Sequence, residues 1–413
     1  MTSEPKSAPG APAIAIGFKE FVALIAALMS ITALGIDTML PALPEMGRAL
    51  GIVEANQQQW IIACYMLGFG CSQIVFGPLA DRFGRKPIVM LSLALFGITS
   101  LIASFADTFA TMAIARALQG TGAAAGRVLV ISIVRDCYSG RQMARIMSLT
   151  YIIFLAAPIL APTIGQLNLM VAPWQAIFYA LALFAFVIIF WFGLRLPETL
   201  HPEYRRSINA SAILSAMKTV VTNRYSLGYT LAMMTGFGSL MAYINSSQQI
   251  FDKLGVAQYF ALIFAVTAGA MGLASYLNSR IVERLGSRKV SHVAIICFTI
   301  VNAIHLLWAL LVSESAMSFV ILQFLAMFFF GLTGSNFGAM AMEPMGKIAG
   351  TASSVQGTIS TIGAALIGIT IGQTYNGTTT PIVAGFFLCG LASTAIVYVT
   401  ERGRMFHSHA DEA

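Results

Sequence analysis

Three ionisable residues lie inside long apolar segments of this 413-residue chain. Asp37 follows Gly35-Ile36 in the first apolar segment, and both Arg116 and Arg127 lie in the fourth. An ionisable side chain inside a membrane span costs roughly 2.5–3.5 kcal/mol on insertion scales, so each of these residues is a functional candidate. The chemistry that these residue types support is the binding and release of a proton, with Asp37 as the acid.

Asp37 and Arg116 are predicted to lie at a similar depth. If the first segment runs outward and the fourth inward, both residues fall on the outer side of the midplane. We expect their side chains to face one another, either as a pair that titrates during transport or as a static ion pair, which is a poor source of stability. Arg127 lies nearly three turns after Arg116 on the same helix face, and either lines an inner cavity or extends to the headgroups.

Composition identifies the elements that must position these residues. Hydrophobic residues make up 57% of the chain, charged residues only 10%, and the mean hydropathy is +0.79; a soluble protein carries about 25% charged residues. An all-α membrane protein is predicted, because the apolar segments are long enough to cross a bilayer. Twelve transmembrane helices are predicted, near 18–40, 58–79, 88–105, 109–133, 144–168, 173–195, 225–250, 259–279, 290–312, 316–341, 352–374 and 381–399.

A repeat divides these helices into two similar halves. The sequence Asp81-Arg82-Phe83-Gly84-Arg85-Lys86 follows the second span, and Glu283-Arg284-Leu285-Gly286-Ser287-Arg288-Lys289 follows the eighth. The longest charged connection, at 197–224, predicts a cytoplasmic loop between a six-helix bundle at 1–196 and another at 225–413. Two pseudo-symmetric bundles in parallel orientation are the arrangement expected of such a repeat.

The distribution of charge predicts the topology. When alternate loops are assigned to opposite faces, one face collects nearly all Lys and Arg residues, and the other holds only Arg48 and Lys253. Both termini are therefore predicted to be cytoplasmic, and the net charge of +7 reflects topology rather than nucleic-acid binding. The first apolar run is read as a helix and not as a removable signal peptide. The five cysteines form no CxxC pair, which argues against a metal site or a disulfide.

The fifth span carries residues suited to movement. Pro158 and Pro162 each remove a backbone donor, and Ala157, Ala161 and Gly165 form a face of small residues that lets another helix approach closely. For substrate binding, polar or aromatic residues within spans are the candidates, each of which is alternatively an interhelical contact: Tyr65, Gln73, Arg127, Asn245, Gln249 and Asn336. Because no second buried acid is predicted, a mostly apolar cavity and a small lipophilic substrate are expected.

Three motifs carry a family resemblance. The segment Gly77–Pro87, with Gly77, Asp81, Arg82, Gly84 and Arg85, resembles the loop 2–3 signature of the major facilitator superfamily. The segment Ala115–Ala124 is similar to its helix-four signature, whose arginine is associated with proton coupling. The segment Pro158–Gly165 resembles the helix-five antiporter motif, although Gln166 stands where a second glycine is usual.

Within that superfamily, Asp37–Pro44 is similar to the opening of the Bcr/CflA drug–proton antiporters. The resemblance implies a secondary active multidrug and antibiotic efflux transporter that works by alternating access in the bacterial inner membrane. It implies a monomer that needs no cofactor and is driven by the proton gradient. Asp37 would carry the exchanged proton, Arg116 would modulate it, and Asp81 would belong to a cytoplasmic gate. Arg127 is a departure from the family pattern, one that would favour anionic substrates.

Two alternatives remain at this point. The first is a proton-coupled exporter or symporter of a small metabolite, such as a sugar or an amino acid, on the same fold. The second is a membrane enzyme or sensor. An enzyme would need a nucleophile–base constellation or metal ligands, and the sequence contains no HExxH, GxSxG or clustered histidines. A sensor would need a soluble output domain, for which no connection is long enough.

Overall fold

A computed structural model describes residues 16–205, 210–312 and 314–406, and within these ranges every regular element is helical. Short 3-10 turns join some of the α-helices. In chain order these are α1 (Phe18–Asp37), α2 (Leu43–Ala49), α3 (Trp60–Phe83), α4 (Arg85–Ser104), α5 (Phe109–Cys137), α6 (Gly140–Val171), α7 (Gln175–Arg195), α8 (Ala210–Thr222), α9 (Arg224–Lys253), α10 (Phe260–Leu285), α11 (Ser287–Leu311), α12 (Ala316–Met342), α13 (Ala349–Gln373) and α14 (Thr380–Thr400).

The predicted spans all correspond to helices. In the described part of the chain, 11 helical segments are long and apolar enough to cross a membrane. The predicted fifth span is α6, which contributes the apolar stretch Ala156–Val171. Two helices were not predicted as separate elements: α2 follows α1 after a short turn, and α8 lies in the charged connection at 197–224.

The chain forms two compact units. The first comprises the described residues of Met1–Ile52 and Cys64–Ala210, and the second those of Val53–Ala63 and Ser211–Ala413. The border after residue 210 falls within the connection at 197–224. Residues 53–63 belong with the second unit because their amide side chains bond there: the Gln59 side chain donates to Gln249 Oε1 at 2.8 Å, and the Asn56 side chain donates to the Tyr375 carbonyl at 2.9 Å.

The sequence repeat has a counterpart in backbone geometry. Gly84, at the start of α4, has φ 104° and ψ 156°, and Gly286, at the start of α11, has φ 78° and ψ 150°. Residues with a Cβ rarely adopt this conformation, which explains why glycine stands at both positions. Each unit thus starts the helix after its repeat motif with the same glycine-dependent turn.

Small residues bring helices of the first unit into backbone contact. A Cβ on Gly126 of α5 would lie 2.6 Å from the Leu28 carbonyl of α1, and one on Gly165 of α6 would collide with the Thr38 carbonyl. Pro158 lies inside α6, which nevertheless continues as one helix. The small-residue face predicted for the fifth span therefore packs against the end of α1, where the predicted acid lies.

Candidate functional site

Asp37 is the last residue of α1. The α-helix gives way here to a 3-10 turn at Leu40–Ala42, in which Pro41 has no N–H to donate. The Asp37 side chain is only 4% exposed, and its Oδ1 atom has no hydrogen-bond partner among the described residues. Because an ionised carboxylate is costly to bury without a partner, this position suits a group that binds a proton or a cation.

Arg116 lies on α5 and is completely buried. Its guanidinium carbon is 4.4 Å from the centroid of the Tyr65 ring and 5.9 Å from that of Phe178. One guanidinium nitrogen donates to Gln119 Oε1 at 2.5 Å, and the Gln119 amide donates to Ser100 Oγ at 2.6 Å. The guanidinium therefore contacts an aromatic ring and donates into a chain of neutral side chains.

The direct Asp37–Arg116 pair expected from the sequence is wrong for this structure, since no ion pair joins the two among the described residues. Tyr65 of α3 contacts Arg116 and the helix that carries Asp37. Its ring lies against the guanidinium, its hydroxyl donates to the Thr32 carbonyl of α1 at 3.3 Å, and a Cβ on Gly35 of α1 would lie 2.7 Å from the hydroxyl oxygen. The similar depth of the two charges stays a prediction, and counting residues did not identify Tyr65 as the neighbour of Arg116.

Tyr65 was predicted to face substrate, yet its side chain is fully buried and offers no surface to a substrate in this structure. Glycines explain the burial. A Cβ on Gly120 of α5 would collide with the Tyr65 carbonyl, and one on Gly68 of α3 would collide with the Ala117 carbonyl. The backbones of α3 and α5 therefore touch, and the tyrosine ring is enclosed between helices.

Two other predicted substrate residues make interhelical hydrogen bonds. The Asn336 amide of α12 donates to Asn278 Oδ1 of α10 at 2.8 Å. Gln249 of α9 accepts from Gln59 at 2.8 Å and donates to Asn56 Oδ1 at 3.0 Å. These contacts match the alternative role that the sequence analysis left open for them.

The remaining predicted substrate residues differ in exposure. Gln73 of α3 is buried, and Arg127 of α5 is exposed. Asn245 of α9 is buried, and its Oδ1 atom has no partner among the described residues. The Asn245 amide oxygen is therefore available to an additional donor.

The loop 2–3 motif builds a compact polar network at the start of α4. Arg85 pairs with Asp81 at 2.6 Å and with Asp136 of α5 at 3.3 Å. Glu198, which follows α7, accepts hydrogen bonds from the backbone N–H groups of Arg85 at 2.9 Å and Lys86 at 3.2 Å. An acid at a helix N-terminus satisfies otherwise unpaired donors. We call Asp81, Arg85, Asp136 and Glu198 the first network.

The other motif residues flank this network. Gly77 and Arg82 lie in the last turns of α3, and the Arg82 guanidinium is 5.2 Å from the Phe83 ring centroid. Sequence reasoning did not assign Asp136 or Glu198 to this site. No local spacing links an acid after α7 to the start of α4, so the contact depends on the tertiary fold.

The prediction that Asp37 is the only buried acid is wrong. The Glu401 side chain at the end of α14 is 4% exposed and pairs with Arg288 at 3.2 Å. The Glu314 side chain, between α11 and α12, is 5% exposed and accepts from His305 Nε2 at 2.7 Å. Both acids lie in loops or at helix ends, which the sequence analysis treated as exposed, and neighbouring helices bury them.

No group of three or more His, Cys, Asp or Glu side chains that could hold a metal ion occurs in the described ranges.

The sequence is similar to proteins of one known family. Residues 24–368 match the sequence model of the Major Facilitator Superfamily. The chain is 30% identical to the uncharacterized MFS-type transporter YdgK of Bacillus subtilis, over 81% of this chain and 84% of that protein.

Other relatives bear drug-resistance names. The chain is 27% identical to the bicyclomycin resistance protein homolog of Haemophilus influenzae, over 92% of this chain and 95% of that protein. It is 26% identical to multidrug resistance protein D of Escherichia coli, over 79% and 82% of the two chains.

Two solved structures share the fold. The D-xylose–proton symporter has a TM-score of 0.71 at 12% identity, covering 94% of this chain and 98% of the symporter. The human organic anion transporter MFSD10 has a TM-score of 0.64 at 18% identity, covering 93% and 99% of the two chains. The chain therefore belongs to the major facilitator superfamily and is a membrane transporter, not an enzyme.

Proposed function

We propose that this chain exports a small lipophilic drug in exchange for protons, and that Asp37 carries the proton. The observation that supports this most is the Asp37 carboxyl group, which is buried at the end of α1 with no hydrogen-bond partner on Oδ1 among the described residues. Gly165 of the antiporter-like segment packs against the adjacent Thr38 carbonyl. The drug-resistance names of two relatives favour a drug as the substrate.

In this mechanism the carboxyl group alternates between two aqueous phases. A proton from outside binds Asp37 and releases the drug, and after reorientation the proton leaves to the cytoplasm and a new drug molecule binds. A proton crossing about 100 mV supplies about 2.3 kcal/mol, and a pH difference of one unit adds about 1.4 kcal/mol. Together they sustain a gradient of a few hundred-fold for a neutral drug.

The same proposal fixes the setting. We place the protein in a bacterial inner membrane, among its lipids, as a monomer with both termini in the cytoplasm, because nearly all Lys and Arg residues fall on one face of the predicted topology. The first network then lies at the cytoplasmic end of α3 and α4, as a gate. The proton gradient takes the place of a cofactor.

The test is proton flux in inside-out vesicles from an efflux-deficient bacterium. Ethidium, a lipophilic cation, and chloramphenicol, a neutral lipophilic drug, serve as probes after growth assays against a wider drug panel. We expect drug-induced proton movement with the wild-type chain and its loss in Asp37→Asn. The matched control is Asp107→Asn, which changes an exposed acid between α4 and α5 and should leave the flux unchanged.

Undiminished proton-coupled efflux in Asp37→Asn would falsify the proposed role of Asp37. The same vesicles also separate drug export from the metabolite alternative. Proton flux that responds to sugars or amino acids and not to any drug in the panel would replace drug efflux by metabolite transport.

A further inference from the structure

We propose that Tyr65 is a positioning residue that couples Arg116 to Asp37 through its hydroxyl group. This inference rests on the proposed function and concerns the same site. The two charged residues make no ion pair with one another among the described residues, and the fully buried Tyr65 contacts the Arg116 guanidinium and the α1 backbone two residues before Asp37. Its ring lies 4.4 Å from the Arg116 guanidinium carbon, and its hydroxyl donates to the Thr32 carbonyl of α1.

The ring and the hydroxyl of Tyr65 are held differently. The ring is fixed because Gly120 brings the α5 backbone against the Tyr65 carbonyl, and the guanidinium covers one ring face. The hydroxyl is held less firmly, since its 3.3 Å bond to the Thr32 carbonyl is longer than an ordinary O–H···O bond. A firmly held ring with a loosely held donor can change its acceptor without moving the helices.

Asp37 provides the second acceptor. Asp37 lies two residues after Gly35, whose backbone adjoins the Tyr65 hydroxyl, and its Oδ1 atom has no hydrogen-bond partner among the described residues. In this structure the hydroxyl donates to the Thr32 carbonyl, an arrangement that suits a protonated Asp37. When Asp37 is ionised, its carboxylate is the stronger acceptor, and its side chain rotates to accept from the hydroxyl. The ring keeps Arg116 close to the acid without a direct ion pair.

The other charged groups near α1 do not compete for this role. Among the side chains that the structure describes, the titratable groups around the tyrosine are Asp37 of α1, Cys64 of α3 and Arg116 of α5. Two charged residues of the neighbouring helices α6 and α7, Arg145 and Arg195, contact the first turn of α1, at the opposite end from Asp37.

Gly35 provides an independent handle on the hydroxyl. A Cβ at this position would lie 2.7 Å from the Tyr65 hydroxyl oxygen and 3.1 Å from the adjacent ring carbon. Glycine is therefore what lets the hydroxyl approach the α1 backbone. An alanine there would displace the donor while leaving Tyr65 and Asp37 chemically intact.

The experiment measures the pH titration of the Asp37 carboxyl group in the purified full chain, by the infrared band of its protonated form. Asp37→Asn identifies the band by its loss. We expect Tyr65→Phe, which keeps the ring but removes the donor, to move the midpoint by about one unit to more alkaline pH, a tenfold change in proton affinity. Gly35→Ala should shift it in the same direction.

Two matched controls separate positioning from structure. Tyr243→Phe removes a buried hydroxyl that bonds Thr267 Oγ1 at 2.8 Å in the second unit, and Gly269→Ala adds a methyl group into open space in α10. Both should leave the midpoint unchanged. If Tyr65→Phe lowers thermal stability as Tyr243→Phe does but leaves the Asp37 midpoint in place, Tyr65 is only structural and the inference is overturned.

The readout distinguishes this inference from the proposed function. The titration needs no drug, so its midpoint decides the role of Tyr65 even if Asp37→Asn keeps its ethidium-coupled proton flux. Conversely, Asp37→Asn can lose its flux while the midpoint is unshifted in both Tyr65→Phe and Gly35→Ala. That result would keep Asp37 as the proton carrier and reject Tyr65 as the residue that couples it to Arg116.

Discussion

The two units use the same charge pattern to hold different parts of the chain. In the first network Arg85 lies between Asp81 and Asp136. About half a chain later, Arg288 lies between Glu343, at 3.1 Å, and Glu401, at 3.2 Å. The second network is defined here as Tyr229, Arg288, His292, Glu343 and Glu401. An arginine held between two acids thus recurs in the first turn of the helix that begins at each repeat motif.

A glutamate has a different role in each network. Glu198 accepts from two backbone N–H groups at the start of α4, and a Cβ on Gly84 would collide with its carboxylate. Glu401 instead accepts from side chains, those of Arg288 and Tyr229. Space around Gly286 is open, with no atom within 4 Å of an added Cβ. The first acid fixes a helix start, whereas the second joins side chains from α9 and α11.

The second network extends to the segment after α14. The Phe406 N–H donates to His292 Nδ1 at 3.1 Å, so Nε2 carries the imidazole hydrogen and donates to the Tyr229 oxygen, also at 3.1 Å. The Tyr229 hydroxyl then donates to Glu401. Each repeat therefore places an arginine between two acids at the start of a helix, but neither the partners of that arginine nor their hydrogen bonds are the same.

The largest difference between the networks is expected when each arginine is removed. Arg288→Ala leaves the Glu401 side chain, which is 4% exposed, without its counter-ion, and we expect it to lower the free energy of unfolding by about 3 kcal/mol. Arg85→Ala should cost roughly half as much, because the Asp81 and Asp136 side chains are 44% and 16% exposed and stay partly solvated. Thermal unfolding in detergent, followed by tryptophan fluorescence, measures both.

Arg205→Ala is the control for these two variants. Arg205 is an exposed arginine in the connection at 197–224, and its replacement should leave the free energy of unfolding unchanged. Equal losses for Arg85→Ala and Arg288→Ala would show that the two networks are energetically equivalent, against the comparison drawn from their contacts.

The paired glycines give a finer test. Gly84→Ala and Gly286→Ala both force a Cβ into a positive-φ conformation, at a cost of about 1–3 kcal/mol each. Gly84→Ala should cost a further 1–2 kcal/mol, roughly, because the new methyl group displaces Glu198 from the start of α4. The difference should disappear in a Glu198→Ala background; if it persists there, Glu198 is not its cause.

Much of the fold could be predicted from the sequence, because a membrane limits the length and composition of the segments that cross it. Each span needs about 20 apolar residues, so helices such as α7 and α14 were located from composition alone. The glycine-dependent turns at Gly84 and Gly286 were visible as a repeated motif. What was missed lies between spans: the separate helix α8, and the packing of residues 53–63 in the second unit. Those features depend on tertiary contacts rather than on the length of an apolar run.

The site was predictable only in part. Asp37 and Arg116 were selected as candidates because a charge in an apolar segment is costly, and their role stays a prediction. The contact between Tyr65 and Arg116 was not predicted, since it depends on how α3 and α5 are rotated and on glycines that let the backbones touch. Glu198 was missed for a related reason, because the start of α4 and the end of α7 are adjacent in the fold and distant in the sequence.

The smallest expected effect concerns Tyr229, through which the second network reaches the end of the chain. Tyr229→Phe leaves the His292 Nε2–H without its acceptor, which should cost about 1 kcal/mol while the stacked rings remain in place. Because His292 accepts the Phe406 N–H, loss of its own acceptor should loosen the segment Arg402–Phe406. Trypsin should then cleave at Arg402 or Arg404 several-fold faster than in the wild type.

Tyr243→Phe, which breaks a bond of similar length elsewhere in the same unit, should leave that rate unchanged. Equal cleavage rates in both variants would mean that the segment is held by Phe406 packing on His292 alone and not by the hydrogen-bonded chain to Glu401.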